Sequence, residues 1–186
     1  DFESVNIIIY KASDNSVVET YDTSGQVTGS GSTQITINPS SDLAEQTEYY
    51  VKIAATAFDD SSSNSYAGIN DTTTLSFTTA DETNPSLSSS SPADNATAVA
   101  TASNIFLNFS EAVDVESGNI VIYKASDNSV VETIDVTSGQ VTGSGSTQIT
   151  INPSSDLAEQ TEYYVKIAAT AFDDSSGKSY AGISNT

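Results

Sequence analysis

The sequence has no cysteine, histidine, tryptophan or methionine. Their absence removes disulfides, thiolate nucleophiles, imidazole bases and His- or Cys-ligated zinc, and most familiar catalysis goes with them. Arginine is missing too. The cationic side chains are Lys11, Lys52, Lys124, Lys166 and Lys178, against 25 aspartates and glutamates, for a net charge of −20. Nucleic acids and anionic membranes repel such a surface, because binding them rests on basic groups that neutralise phosphates. No nucleic-acid partner is expected, and a divalent cation is the natural counter-charge. No apolar run approaches the roughly 20 residues that span a bilayer, so no direct membrane insertion is expected. The start Asp1-Phe2-Glu3 has no basic n-region, which places any targeting signal outside this stretch.

Acidity with few aromatics can mark a disordered chain, so the pattern of apolar residues has to decide. Here they are mostly β-branched or aromatic and fall in short alternating runs, such as Ile105, Leu107, Phe109 and Ile149, Ile151. Alternation over a few residues suits half-buried strands.

The chain repeats itself. Thr23 to Ser62 is identical to Thr137 to Ser176, and Lys11 to Thr20 to Lys124 to Thr133, at an offset of 113 that becomes 114 because Val136 has no partner. Drift is confined to a few pairs, among them Phe2/Val115, Val5/Gly118, Ile8/Val121, Tyr21/Ile134, Ser63/Gly177 and Asn64/Lys178. One module is therefore about 114 residues. Residues 1–80 read as the back portion of one module without its first strands. Residues 81–186 read as the next without its last strand, with a linker at 80–85. The expectation is an excerpt of a longer array.

A coarse map combines the copies: extended Pro85 to Ser91, then strands Asn104 to Ser110, Asn119 to Lys124, Ser129 to Asp135, Thr147 to Asn152, Thr161 to Ile167 and, from the first copy, Thr73 to Thr79. Ser126-Asp127-Asn128 is a turn signal, and Gly139 to Gly145 a glycine-punctuated connection. Short strands at this spacing, without helical periodicity, predict an all-β sandwich of two antiparallel sheets. Tyr163 and Tyr49 have the spacing of corner tyrosines, rings inward and hydroxyls on nearby backbone.

Ser91-Pro92-Ala93-Asp94-Asn95-Ala96, the stretch Asn104 to Asp114, and Gly118-Asn119-Ile120-Val121-Ile122-Tyr123 resemble the bacterial immunoglobulin-like repeats of surface-layer proteins and giant RTX-type adhesins. The resemblance covers the whole unit in both copies. It implies antiparallel immunoglobulin-like β-sandwich modules in tandem, at the bacterial cell surface or outside the cell, serving as extenders or lattice builders. Neighbouring modules of the same chain are then the expected partners, with other copies as partners in a lattice or filament.

Acidic residues concentrate at one end of the inferred module. The linker supplies Asp81, Glu82 and Asn84, the loop expected after the second strand Glu111, Asp114 and Glu116, and a later loop Asp173 and Asp174; the first copy retains Asp1, Glu3, Asp59 and Asp60. Calcium takes six to eight oxygen ligands at about 2.3–2.6 Å, so three acidic segments meeting at a module boundary suit Ca2+. Solvated charge that keeps the protein soluble is the competing reading. The loop from Asp173 to Ser179 lacks the D-x-D-x-D-G pattern and distal glutamate of an EF-hand.

Paired carboxylates with no dedicated cleft, and serines with no histidine or suitably placed lysine, give no catalytic arrangement; an enzyme is not expected. Repetition serves length or valency instead. A carbohydrate-binding module is the weaker alternative, resting on Tyr10, Tyr50, Tyr123 and Tyr164 as an exposed face. The strand Asn6-Ile7-Ile8-Ile9-Tyr10 is a candidate lateral edge for lattice assembly.

Overall fold

A computed structural model describes residues 7–22 and 25–185. They divide into two compact units, Asp1–Asp81 and Glu82–Thr186. All the regular structure is strand, and every pairing is antiparallel.

In the first unit, β1 (Ile7–Lys11), β2 (Val17–Tyr21), β5 (Glu48–Ile53) and β6 (Ser76–Thr78) form one sheet in the order β2-β1-β5-β6. The short strands β3 (Val27–Thr28) and β4 (Thr36–Ile37) pair separately. The turn between β1 and β2 is made by its own residues. Asn15 adopts a φ of 58°, and the Asp14 carboxylate accepts the Ser16 N–H at 2.9 Å, as Asx turns do. Ile7, Ile9, Tyr21, Val27, Tyr49 and Val51 make the core. This corrects the expectation of a lateral edge at Ile7 to Tyr10. That strand is flanked on both sides, by β2 and β5, because Ile7 and Ile9 bury only where both neighbours shield them. Asn6, with Asp1 and Glu3, lies outside the described residues.

The second unit holds β7 (Leu87–Ser91), β8 (Ile105–Val115), β9 (Asn119–Lys124), β10 (Val130–Asp135), β11 (Val141–Thr142), β12 (Ser146–Ile151), β13 (Tyr163–Ile167) and β14 (Phe172–Asp173). One sheet runs β10-β9-β13; the other runs β11-β12-β8, with β7 and β14 also paired to β8. The core cluster draws Leu107, Phe109, Ile149 and Ile151 from one sheet and Ile120, Ile122, Ile134 and Ile167 from the other. Two sheets sharing one apolar interior make the expected sandwich. Each fully buried isoleucine contributes about 1.5–3 kcal/mol, so this interior is the main source of stability. Val136, the residue without a counterpart, is fully buried and packs in the same cluster.

The corner tyrosines are present in both copies. Tyr49 is buried and its hydroxyl accepts the Ala44 N–H at 3.0 Å; the Tyr163 hydroxyl accepts that of Ala158 at 3.0 Å. The glycine-punctuated connection is also tightly defined. Gly143 has a φ of 101°, and a Cβ there would collide with the carbonyl of Gln148, so only glycine fits.

Candidate metal centre

Strand β8 is longer than the alternation suggested, running through Val115 instead of stopping at Ser110. Its inward series is Leu107, Phe109, then Val113, all buried, with Glu111 half-buried between them. The register against β12 jumps within this stretch, from Asn108↔Gln148 to Val113↔Ser146. Such irregularities re-aim side chains. Glu111 and Asp114 therefore belong to a strand, and the loop expected there begins after Val115.

Facing the end of β8 is a hairpin, where the sequence predicts a loop. Phe172 and Asp173 pair with Val115 and Asp114, and Tyr180 N–H returns to the Phe172 carbonyl at 2.9 Å. Phe172 and Tyr180 pack on Phe109 with centroids at 5.4 and 5.1 Å, which anchors the hairpin to the core. At its tip, Asp174 is 5% exposed. One of its oxygens, Oδ1, accepts the N–H groups of Ser176 at 2.7 Å and Lys178 at 2.9 Å. The other, Oδ2, is buried without a hydrogen-bond partner.

Asp174 and Glu111, both of the second unit, each offer a carboxylate oxygen, and these atoms lie within 4.8 Å of one another. Two oxygens on one calcium at about 2.3–2.6 Å are at most about 5 Å apart, so one ion can be reached by both. Asp81, in the first unit, accepts the side-chain amide of Gln46 on Oδ2. Asp81 and Asp174 are the buried charged side chains among the described residues. Burying an unpaired carboxylate oxygen costs more than the roughly 1–3 kcal/mol of an unsatisfied neutral group, and a cation offsets that cost.

The other expected ligands are placed elsewhere. Glu82 Oε2 lies 2.7 Å from Lys178 Nζ, and Asn84 Nδ2 donates to the Ser179 carbonyl at 3.1 Å; both tie the incoming chain to the hairpin. Asp114 Oδ1 accepts the Ser144 hydroxyl at 3.1 Å. Asp173 is its cross-strand partner, a like-charge pairing that strands disfavour. Glu116 is exposed, and its N–H donates to the Ala171 carbonyl at 3.0 Å.

The tyrosine face is not open. Tyr10 stacks on Tyr50 at 5.0 Å and Tyr123 on Tyr164 at 4.9 Å, with Lys52 and Lys166 Nζ 5.8–5.9 Å from the ring centroids. Tyr50 is 4% exposed. Rings that cover one another leave little surface for a sugar. An open depression of about 600 Å³, lined by Pro92, Val99, Ala102 and Phe106 among others, carries no titratable side chain.

A family model described as a bacterial Ig-like domain matches twice, over residues 3–79 and 81–185. The chain belongs to that family. Bacterial Ig-like domains are structural modules of bacterial proteins and occur in surface or extracellular ones. The second matched segment contains Glu111 and Asp174 together. Comparison with curated proteins and with solved structures finds no match to this chain. Among the described residues, no helix is long and apolar enough to cross a membrane.

Proposed function

We propose that this stretch is a non-catalytic extender of a large bacterial adhesin, outside the cell or on its surface, and that the Glu111 and Asp174 carboxylates hold Ca2+. The observation that carries the metal reading is the convergence of two acidic oxygens within 4.8 Å, one side chain having a buried oxygen without a partner. Bound calcium supplies charge compensation there, and it stiffens an array of modules by fixing the start of each one. Near-verbatim repetition supports the extender role, since it adds length and valency without adding a cleft. Calcium is expected to raise the melting temperature of the second unit. Glu111→Gln removes one anionic ligand and is expected to abolish that rise, as read by calorimetry in calcium and in chelator. Equal shifts in both proteins would assign the effect to diffuse surface charge.

A second reading, lateral assembly into a surface lattice or filament, has its own observation. Among the described residues the outer strand β10 pairs only with β9, and it exposes Val130 at 56% and Val131 at 45%; Val17 and Val18 repeat this on β2. Exposed apolar edge strands template pairing with other chains. If it operates, the chain self-associates at high concentration in sedimentation runs and Val130→Lys prevents it. A monomer at all concentrations removes this reading.

A further inference from the structure

The two copies fold the same acidic loop, yet they finish it differently. In the first, Asp60 Oδ1 accepts the N–H groups of Ser62 and Asn64, each at 2.8 Å. In the second, Asp174 Oδ1 accepts those of Ser176 and Lys178. The backbone closures also correspond: Asp60 N–H to the Asn64 carbonyl at 3.0 Å, and Asp174 N–H to that of Lys178 at 2.9 Å. Ser63 has a φ of 65° and Gly177 one of 77°, so both copies make the same left-handed turn.

The copies differ in exposure, Asp60 being exposed and Asp174 only 5% exposed, and at the second carboxylate oxygen. Asn64 turns its carboxamide back and donates to Asp60 Oδ2 at 2.9 Å, closing the loop on itself. Lys178 occupies the same position but carries its ammonium to Glu82, 2.7 Å away. Asp174 Oδ2 is left buried and without a donor, in the side chain that clusters with Glu111.

We infer that the residue at position 64 or 178 decides whether this loop caps its own aspartate or offers it to a cation: asparagine closes the site, and lysine opens it. The inference rests on the calcium reading above and adds to it a determinant of which modules bind. Lys178 is a positioning residue. Its charge alone would oppose a cation, so its contribution is to leave Oδ2 uncapped. An array of modules that are otherwise near-identical can then carry cation sites at chosen places by one substitution per module.

The test is calcium titration of the whole chain by calorimetry, comparing the wild type with Lys178→Asn, Lys178→Ala and Asp174→Asn. Lys178→Asn installs the residue that the first copy already folds with. It is expected to weaken the saturable site about tenfold or more, equivalent to about 1.4 kcal/mol. Lys178→Ala removes the same charge without supplying an amide, and it is expected to bind at least as tightly as the wild type. A simple charge effect predicts tighter binding in both variants and would overturn the inference. So would weakening by alanine equal to that by asparagine. In either case a saturable wild-type site that Asp174→Asn abolishes would leave the calcium reading standing. A wild type indistinguishable from Asp174→Asn would overturn both.

Discussion

Glu19 shows how a single half-buried carboxylate organises the edge of a module. It accepts the Gln26 side-chain amide at 2.6 Å, the Tyr21 hydroxyl at 2.9 Å and the Ser40 N–H at 3.1 Å. The Gln26 amide is the largest cause, with the Ser40 bonds next among those that favour the anion, and together they hold its pKa down to about 2. Its counterpart Glu132 is also lowered: burial opposes ionisation, and hydrogen bonds from Gln140 and Ser154 outweigh it. Drift from Tyr21 to Ile134 removes the phenol from the second copy, yet the glutamate–glutamine bond persists there at 2.8 Å. A carboxylate whose folded pKa lies below its unfolded value of about 4.3 contributes stability that is full above that pH and fades as the pH falls through the folded value. The side-chain carboxyl carbon of Glu19 is therefore expected to titrate by NMR with a midpoint near 2, and Glu19→Gln to soften the acid loss of the first unit. A midpoint in the ordinary range would mean that these bonds do not persist in solution.

At the scale of the element, Ile149 of β12 and Val131 of β10 separate core from edge. Ile149 is fully buried between the sheets, whereas Val131 is 45% exposed. Ile149→Ala removes buried apolar volume and leaves a cavity, with an expected cost of about 2–5 kcal/mol in urea unfolding. Val131→Ala should change stability by less than about 0.5 kcal/mol. Comparable losses would place β10 inside an interface. Much of this architecture was legible in the sequence, because period-two alternation reports burial directly. β9 runs over Asn119–Lys124 as read, and the corner tyrosines fall where the spacing put them. The length of β8 was not legible. Glu111 breaks the apolar alternation, and only tertiary pairing with β14 shows that the strand continues to Val115. The acidic end was visible as composition. Which carboxylates converge was not, because the eight polar side chains lie in three separate segments, 81–84, 111–116 and 173–174, and only tertiary pairing sets which of them meet. The Asn64/Lys178 drift was equally visible, but its consequence depends on where two side-chain nitrogens reach.

For the whole molecule, the strong negative charge opposes compactness and association wherever it is not compensated. Membership of the bacterial Ig-like domain family agrees with a structural role. Calcium at the converging Glu111 and Asp174 carboxylates would compensate that charge at a defined point, where diffuse screening by salt acts on all exposed groups alike. The most direct measurement of the central claim is small-angle scattering with parallel calorimetry on the chain, in calcium and in chelator, beside Asp174→Asn. The account predicts that calcium narrows the distribution of distances and raises the melting temperature in the wild type, and does neither in the variant. Identical scattering and melting with and without calcium in the wild type would contradict it.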